Sequence, residues 1–281
     1  MFSPYYAWAR RRGGGDPLQH CAVNVALYGR GGKRWAMTER GADAVRRTRC
    51  RLAIGPSELV WDNSGLTVQF DEVAVPLPRR IRGLVRLLPV SVQRREWTLD
   101  AAGRHRWRPI APCARAEVEL GSPALRWSGP AYFDRNTGDR PLEADFLHWD
   151  WSRAPVAEGT AITYDVERRD VAPPAQRQRL ALLCRNDGGT EAFAAPTVMP
   201  LAPTRWRIER HVGAEKSHVP MAVATLEDTP FYARSVVTTR LLGQPVKAIH
   251  ETLSLERFRS PLVQAMLPFR MPRRVRRFGP G

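Results

Sequence analysis

Apolar and polar residues alternate with a period of two along much of the chain, which is the pattern of half-buried β-strands. Residues 20–28 (HCAVNVALY) alternate in their middle, and residues 66–75 (LTVQFDEVAV) alternate until the phase changes after Phe70, which predicts a β-bulge. Similar signals recur at residues 34–38, 81–88, 116–120, 125–128, 161–167, 180–184, 206–209, 222–226, 235–242 and 246–253. The chain is therefore predicted to be rich in strands.

Turn-forming residues separate these stretches, as at Asn63-Ser64-Gly65 and Asn186-Asp187-Gly188-Gly189. Short strands at this spacing, in a chain with 21 Gly and 24 Pro, predict an all-β antiparallel sandwich or barrel with little helix. The clearest helical pattern covers residues 254–267. It begins at a suitable N-cap, Ser254, but Pro261 limits it to an early turn or a kinked helix.

The character of the sequence changes near Asp100. Ordinary alternating strands precede residues 97–103 (WTLDAAG), and the density of aromatic and histidine residues rises after them. A chain of 281 residues is long enough for two ordinary domains. We therefore predict one domain over residues 1–99 and a second over residues 100–281 that carries the candidate chemistry.

The formal charge of +16 is typical of proteins that bind nucleic acids or anionic membranes. Only three of the 44 basic residues are lysine, however, which indicates that codon bias accounts for part of the charge. The cations are spread along the chain, and it has no zinc-finger, basic-zipper or RNA-recognition signature. We therefore expect no nucleic acid as a partner.

The exception to this even spread is the C-terminal segment 271–278 (MPRRVRRF), where cations alternate with apolar residues. Such a segment suits contact with an anionic lipid leaflet, and a solvated basic end is the alternative interpretation. Residues 261–269 are a second candidate for membrane contact.

The four cysteines are far apart and form no CxxC pair, so the sequence predicts neither a structural zinc site nor a disulfide scaffold. This usage fits a reducing, cytoplasmic compartment. No apolar run reaches the ~18 residues that a membrane-spanning helix needs, and the N-terminus is unlike a signal peptide. We expect a soluble or peripheral protein.

Aromatic, histidine and aspartate residues cluster between residues 105 and 151, and the chain has no GxSxG, Walker, GxGxxG or HExxH motif. If the local backbone is extended, His105 and Trp107 share one face, and Tyr132 and Asp134 share another. The two pairs could then line one cavity. The alternative is structural: Asp134 precedes Asn136-Thr137-Gly138 and could stabilise a turn there, with the aromatic rings as core residues. These residues predict a pocket but no reaction.

At these residues the chain resembles the carotenoid 1,2-hydratase family, also called hydroxyneurosporene synthase, of phototrophic bacteria. The resemblance runs over nearly the whole length and rests on long motifs, among them FSPYYAWAR, NVALYGRGGKRWAMTER, DEVAVPLPRRIRG, LDAAGRHRWRPIAP, YFD, WDWSRA, LEDTPFYARS and RSPLVQAMLPFRMPRR. Longer members carry an additional segment ahead of the FSPYY motif. The first domain is therefore expected either to manage without a first strand segment or to begin upstream of Met1.

The resemblance implies two lipocalin-like antiparallel β-barrel or sandwich domains, and catalysis without an organic cofactor or a metal. It implies hydration of neurosporene or lycopene at the terminal 1,2 double bond, on the cytoplasmic side of the photosynthetic membrane and beside other enzymes of carotenoid biosynthesis. The family's His-x-Trp and Tyr-x-Asp pairs fall on His105, Trp107, Tyr132 and Asp134, and aspartate is the proposed acid.

An apolar surrounding would raise the pKa of Asp134 and keep it protonated, as a general acid requires. On this hypothesis the rings of Trp107 and Tyr132 stabilise a tertiary cation or shape the tunnel, and His105 orients water or bonds Asp134. The alternative function is a non-catalytic, lipocalin-like protein that binds an isoprenoid.

Overall fold

The computed structural model describes residues 2–29, 32–173 and 176–274, and most of them lie in β-strands. The α-helices are short: α1 (Pro4–Arg11), α2 (Leu142–Asp145), α3 (Leu255–Arg259) and α4 (Pro261–Met266). None of the helices in these ranges is long and apolar enough to cross a membrane. The strands are β1 (Asn24–Leu27), β2 (Arg34–Met37), β3 (Glu39–Arg40), β4 (Val45–Arg47), β5 (Arg51–Ile54), β6 (Ser57–Asp62), β7 (Gly65–Val73), β8 (Arg80–Pro89), β9 (Trp97–Thr98), β10 (His105–Ser122), β11 (Ala124–Gly138), β12 (Phe146–Val156), β13 (Gly159–Arg168), β14 (Arg177–Arg185), β15 (Thr190–Ala192), β16 (Thr197–Leu201), β17 (Arg210–Ala214), β18 (Met221–Asp228), β19 (Tyr232–Leu241), β20 (Gln244–Ser254) and β21 (Arg273–Arg274).

Two large sheets contain most of these strands. One has the order β11-β10-β8-β7-β6-β5-β4, with β9 paired to β10, and the other has the order β15-β14-β13-β12-β20-β19-β18. Neighbouring strands such as β7 and β8, or β12 and β20, pair antiparallel. Strand β21 lies parallel to β3. The predicted all-β class with little helix is confirmed.

The residues form two compact units. One contains Met1–Pro89, Arg115–Ala131 and Gln264–Gly281, and the other contains Val90–Ala114 and Tyr132–Val263. Each unit is assembled from separate stretches of chain, because the long strands β10 and β11 contribute residues to both. The division into lipocalin-like domains over residues 1–99 and 100–281 stays a prediction.

The β-bulge predicted after Phe70 is wrong, since the register of β7 against β8 continues without a shift to Val73. The alternation persists with a polar residue at an inward position: Glu72 is buried beside Phe70 on the same face. The Arg40 guanidinium donates to both oxygens of Glu72 at 3.0 and 2.7 Å, and the Ser57 hydroxyl donates at 2.8 Å. A buried charge is tolerated here because it is paired and hydrogen-bonded.

Helix formation near the C-terminus follows the prediction. The Ser254 hydroxyl caps α3 by accepting from the Arg257 amide, and the helix ends before Pro261, which starts α4. Helix α1 was not predicted, although Ser3 caps it and Pro4 occupies its first turn. Ser-Pro is an ordinary signal for a helix start.

Two other expectations changed. The strand predicted at residues 206–209 is a loop, because Arg207 has a positive φ of 55° that breaks the extended backbone. In the basic segment 271–278, Met271 is buried and Arg273 pairs with the buried carboxylate of Glu39. The start of that segment is therefore part of the fold, and residues 275–278 lie outside the described residues.

Strand β12 (FLHWDWSRAPV) lies at the centre of its sheet between β13 and β20. Consecutive residues from Trp149 to Ser152 are all buried, so both faces of the strand are covered. A strand buried on both faces shows no alternation, which is why the pattern did not predict it.

Candidate active site

The carboxylate of Asp100 organises the turn that leads into β10. It accepts hydrogen bonds from the backbone amides of Ala102, Arg104 and His105 at 3.0, 3.1 and 2.7 Å. The strand starts at His105, and the side chains of His105 and Trp107 then point to the same face. Both side chains are buried, with Trp107 at 0% exposure and His105 at 2%.

Two of the predicted residues donate hydrogen bonds to the carboxyl group of a third. Trp107 Nε1 donates to Asp134 Oδ2 at 2.8 Å, and the Tyr132 hydroxyl donates to the same oxygen at 3.0 Å. Tyr132 and Asp134 share a face of β11, as the two-residue period predicts. The alternative interpretation of Asp134 as a turn residue is wrong, because residues 136–138 continue the same strand.

Aromatic rings from β12 and β13 pack against the two side chains that donate to this carboxyl group. The Trp151 ring centroid lies 5.2 Å from that of Tyr132, and the Tyr164 centroid lies 5.0 Å from that of Trp107. The Arg153 guanidinium is 5.3 Å from the centre of the Tyr132 ring. Asp134 and Tyr132 remain partly accessible to solvent. We refer to Asp134 and the rings of Trp107, Tyr132, Trp151 and Tyr164 as the aromatic recess.

The surroundings of Asp134 favour its neutral form. Burial raises its pKa, the hydrogen bonds from Trp107 and Tyr132 oppose that rise, and the nearby charge of Glu251 adds to it. The net pKa is raised above the ordinary value of 3.8. Burial also raises the pKa of Tyr132 well above its ordinary value, so its hydroxyl remains a neutral donor. The recess therefore holds a carboxyl group that keeps its proton to a higher pH than usual.

His105 makes its hydrogen bond elsewhere. Its Nε2 lies 2.7 Å from Asp145 Oδ2, and its ring packs against that of Phe146 with centroids 4.8 Å apart. Asp145 also forms ion pairs with Arg104 and Arg140. Of the two roles expected for His105, the hydrogen bond to Asp134 is therefore corrected to one with Asp145, and the orientation of water stays a prediction.

The sequence did not point to Arg153, Tyr164 or Glu251 as residues in or next to this recess. Arg153 follows Trp151 by two residues on β12, so an extended reading of that segment would have found it. Glu251 lies opposite Trp151 in the register of β20, and Tyr164 lies opposite it on β13. Such cross-strand neighbours depend on sheet order, which one-dimensional patterns do not contain.

The other face of β12 carries a different group of side chains. His148, Asp150 and His211 bring donor atoms of the kind that hold metal ions to within 4.8 Å of one another. The cysteines do not form such a group: Cys21, Cys50, Cys113 and Cys184 are free thiols.

Comparison with known proteins places the chain in a family. The sequence model described as carotenoid hydratase CrtC matches residues 1–278. The chain belongs to this family. It is therefore a hydratase, and the resemblance inferred from its motifs is confirmed.

Relatives similar to the chain are named acyclic carotenoid 1,2-hydratase. The one from Thiocapsa roseopersicina is 55% identical over 274 residues, covering 97% of this chain and 67% of the relative. The one from Rubrivivax gelatinosus is 52% identical, covering 98% of this chain and 68% of the relative. The one from Cereibacter sphaeroides is 42% identical and covers 98% of this chain and 95% of the relative. The longer relatives thus extend beyond the matched region.

Among solved structures, the crystal structure of CghA with Sch210972 is similar over 79% of this chain and 80% of its own, at 13% identity and a TM-score of 0.37. The structure titled crystal structure of CghA is similar over 78% of each chain, at 13% identity and a TM-score of 0.36.

Proposed function

We propose that this hydratase adds water across the terminal C1–C2 double bond of an acyclic carotenoid such as neurosporene or lycopene, with Asp134 as the general acid. The observation that carries the proposal is the pair of hydrogen bonds from Trp107 and Tyr132 to a single oxygen of Asp134. The name that the relatives share supplies the substrate class, and the carboxyl group supplies the chemistry.

Two donors on Oδ2 determine which oxygen of Asp134 carries the proton. A protonated carboxyl group has one carbonyl oxygen, which accepts, and one hydroxyl, which donates. Because Oδ2 already accepts from Trp107 and Tyr132, the proton belongs on Oδ1. The same donors stabilise the negative charge that develops on Asp134 as the proton leaves, so they raise its acidity at the moment of transfer.

The reaction then proceeds by addition. Asp134 Oδ1 transfers its proton to C2 of the alkene, whose π electrons form the new C–H bond and leave a tertiary cation at C1. A water molecule attacks C1, and its extra proton returns to the Asp134 carboxylate. No electrons are exchanged with any other reagent, and the acid is regenerated.

The burial of Tyr132, Trp107 and His105 indicates which of them can contact the substrate and which can only position other groups. The partly accessible ring of Tyr132 can face the cation at C1, because the π face of an aromatic ring attracts positive charge. Trp107 is completely buried, so we assign it the positioning of Asp134 rather than contact with substrate. His105, at 2% exposure and bonded to Asp145, positions the start of β10.

The substrate is dissolved in a bilayer, so the proposal includes peripheral contact with the membrane. Leu262 and Phe269, within the segment predicted for this contact, are exposed at 71% and 79%. Exposed apolar side chains next to basic residues suit an anionic lipid surface. The chain then collects its substrate from the membrane without crossing it, on the cytoplasmic side and beside other enzymes of carotenoid biosynthesis.

The test uses Asp134→Asn, which keeps the shape of the side chain and removes the acidic proton. We expect the rate of hydration of lycopene or neurosporene, followed by chromatography and by the mass gain of one water, to fall about 10²–10⁴-fold. The matched control is Asp139→Asn, in which an exposed carboxylate of the same region is changed in the same way. Hydroxylated product from Asp134→Asn at the wild-type rate rejects Asp134 as the acid. Wild-type chain that binds the carotenoid and never adds water supports the non-catalytic alternative.

A further inference from the structure

A second cluster of titratable side chains lies on the face of β12 opposite to the acid. His148 Nε2 is 3.0 Å from Asp150 Oδ2, and His211 Nδ1, on β17, is 3.7 Å from the same oxygen. His250 Nε2, on β20, is 3.5 Å from Asp150 Oδ1. Three imidazole rings from three strands therefore surround one buried carboxylate, and nothing in the proposed reaction uses them.

An ion pair alone does not explain this cluster. One histidine would be enough to pair with Asp150, and His148 already does so. His211 Nδ1 is buried, and no hydrogen-bond partner for it occurs among the described residues. A buried polar atom without a partner costs free energy, and atoms of this kind often bind an ion or a water molecule.

The donor atoms match a transition-metal site. Two imidazole nitrogens and one carboxylate oxygen form a common ligand set for Zn²⁺ and related divalent ions. With metal–ligand distances of ~2.0–2.1 Å, tetrahedral geometry places ligand atoms ~3.3 Å apart. The two nitrogen–oxygen separations, 3.0 and 3.7 Å, bracket that value, and all three donor atoms lie within 4.8 Å of one another. Small movements of the side chains would complete the geometry.

The surroundings also fit a metal site. The Thr252 hydroxyl donates to Asp150 Oδ1, and His250 Nε2 lies 2.9 Å from the backbone oxygen of His211. Such outer hydrogen bonds orient metal ligands. His148, Asp150 and His211 line a small cavity of about 10 Å³, together with Asp165, Glu167 and Arg177.

We propose that His148, Asp150 and His211 bind a divalent first-row transition ion, with Zn²⁺ as the probe, and that the ion joins β17 to β12. The neighbours of His148 and Asp150 along β12, Trp149 and Trp151, point to the opposite face, where Trp151 packs on Tyr132. The ion would therefore stabilise the fold without touching the reacting atoms, in agreement with an acid mechanism that needs no metal.

The first experiment measures binding to the wild-type chain. Full-length protein is stripped with EDTA, dialysed and titrated with Zn²⁺ by calorimetry, and metal content is measured by mass spectrometry. We expect one Zn²⁺ per chain and a higher midpoint of thermal unfolding in its presence. Co²⁺ should give the visible bands of a four-coordinate nitrogen and oxygen site. The proposal is rejected by a failure to bind stoichiometric metal, or by a Co²⁺ spectrum with thiolate charge-transfer bands, which would place the ion on cysteine.

The second experiment identifies the ligands. His211→Ala and His148→Ala should abolish stoichiometric Zn²⁺ binding, and His218→Ala, a histidine outside the cluster, should bind as the wild type does. Thr252→Val keeps every ligand and removes the hydrogen bond to Asp150, so we expect Zn²⁺ affinity to fall about 10–100-fold. Undiminished binding by the two ligand variants overturns the assignment. Because the wild-type titration stands by itself, a variant that fails to fold does not leave the question open.

Discussion

Trp107→Phe isolates the hydrogen bond that we consider central to the acid. The substitution removes Nε1, which lies 2.8 Å from Asp134 Oδ2, and keeps an aromatic ring at a position with 0% exposure. A hydrogen bond to a charged group contributes about 1.5–3 kcal/mol, against about 0.5–1.5 kcal/mol for a neutral pair. Losing the bond therefore destabilises the Asp134 carboxylate by about 1.4 kcal/mol more than it destabilises the protonated acid.

That difference corresponds to about one pKa unit, upward. Only protonated Asp134 donates, so activity falls as the pH rises through its pKa, and in Trp107→Phe this fall should occur about one unit higher. Below the pKa the weaker acid should also lower the rate, by up to about tenfold. The measurement is kcat/KM for lycopene hydration against pH, which reports the pKa of the free enzyme.

Trp151→Phe provides a matched control. It makes the same change in a ring 5.2 Å from that of Tyr132, but the Nε1 of Trp151 has no hydrogen-bond partner among the described residues. We expect it to alter packing without moving the alkaline limb of the pH profile. The reasoning fails if Trp107→Phe leaves that limb unmoved, or if Trp151→Phe moves it equally.

Three further outcomes are expected. Burial raises the pKa of Asp134 in the folded protein. The protonated carboxyl group therefore contributes its full stability below pH 3.8, and this contribution is lost as the pH rises through the folded-state pKa. The free energy of unfolding of Asp134→Asn should accordingly rise relative to that of the wild type between acid and neutral pH. Urea titrations at several pH values check this, and a constant difference contradicts it. Glu72→Gln leaves the Arg40 guanidinium buried beside a neutral partner, so it should lower the free energy of unfolding by about 3–5 kcal/mol. An unchanged midpoint of urea unfolding would show that the ion pair contributes little to stability. Phe269→Ser should weaken binding to anionic liposomes about tenfold or more in flotation, because burial of the exposed ring in lipid contributes about 1.5–3 kcal/mol. Leu77→Ser, which changes another exposed apolar residue, should leave binding unchanged if contact is confined to residues 261–269.

The sequence predicted the fold class well because alternation and turn residues are local signals. The strands from residue 159 to residue 185, and those from residue 232 to residue 254, lie close to where the pattern placed them. The alternation pattern gave wrong or missing predictions where buried positions do not alternate with exposed ones. Glu72 is polar and faces inward, and β12 is covered on both faces. Both cases depend on partners distant in the chain, which the local pattern cannot supply.

The candidate site shows the same division. The shared face of Tyr132 and Asp134 follows from the period of a strand, and the motif resemblance selected these residues together with His105 and Trp107. The hydrogen bond of His105 to Asp145 could not be predicted in this way, because the two residues are 40 positions apart and their approach depends on how β10 and α2 are placed. Sequence spacing gives the face of a side chain but not its partner.

Strand β12 contributes residues to both the aromatic recess and the histidine cluster, although the two differ in chemistry. Its residues alternate between two faces: Trp149 and Trp151 share the face on which Trp151 packs against Tyr132, and His148 and Asp150 share the face toward His211. The cluster does not form a sequence motif, because His211 lies 61 residues beyond Asp150 in the chain and metal-binding motifs have short spacings between their ligands. Since one strand holds both groups, the effect of His211→Ala on hydration should follow the loss of stability and leave the pH dependence set by Asp134 unchanged. A shift of that pH profile in His211→Ala would instead mean that the two faces of β12 are coupled.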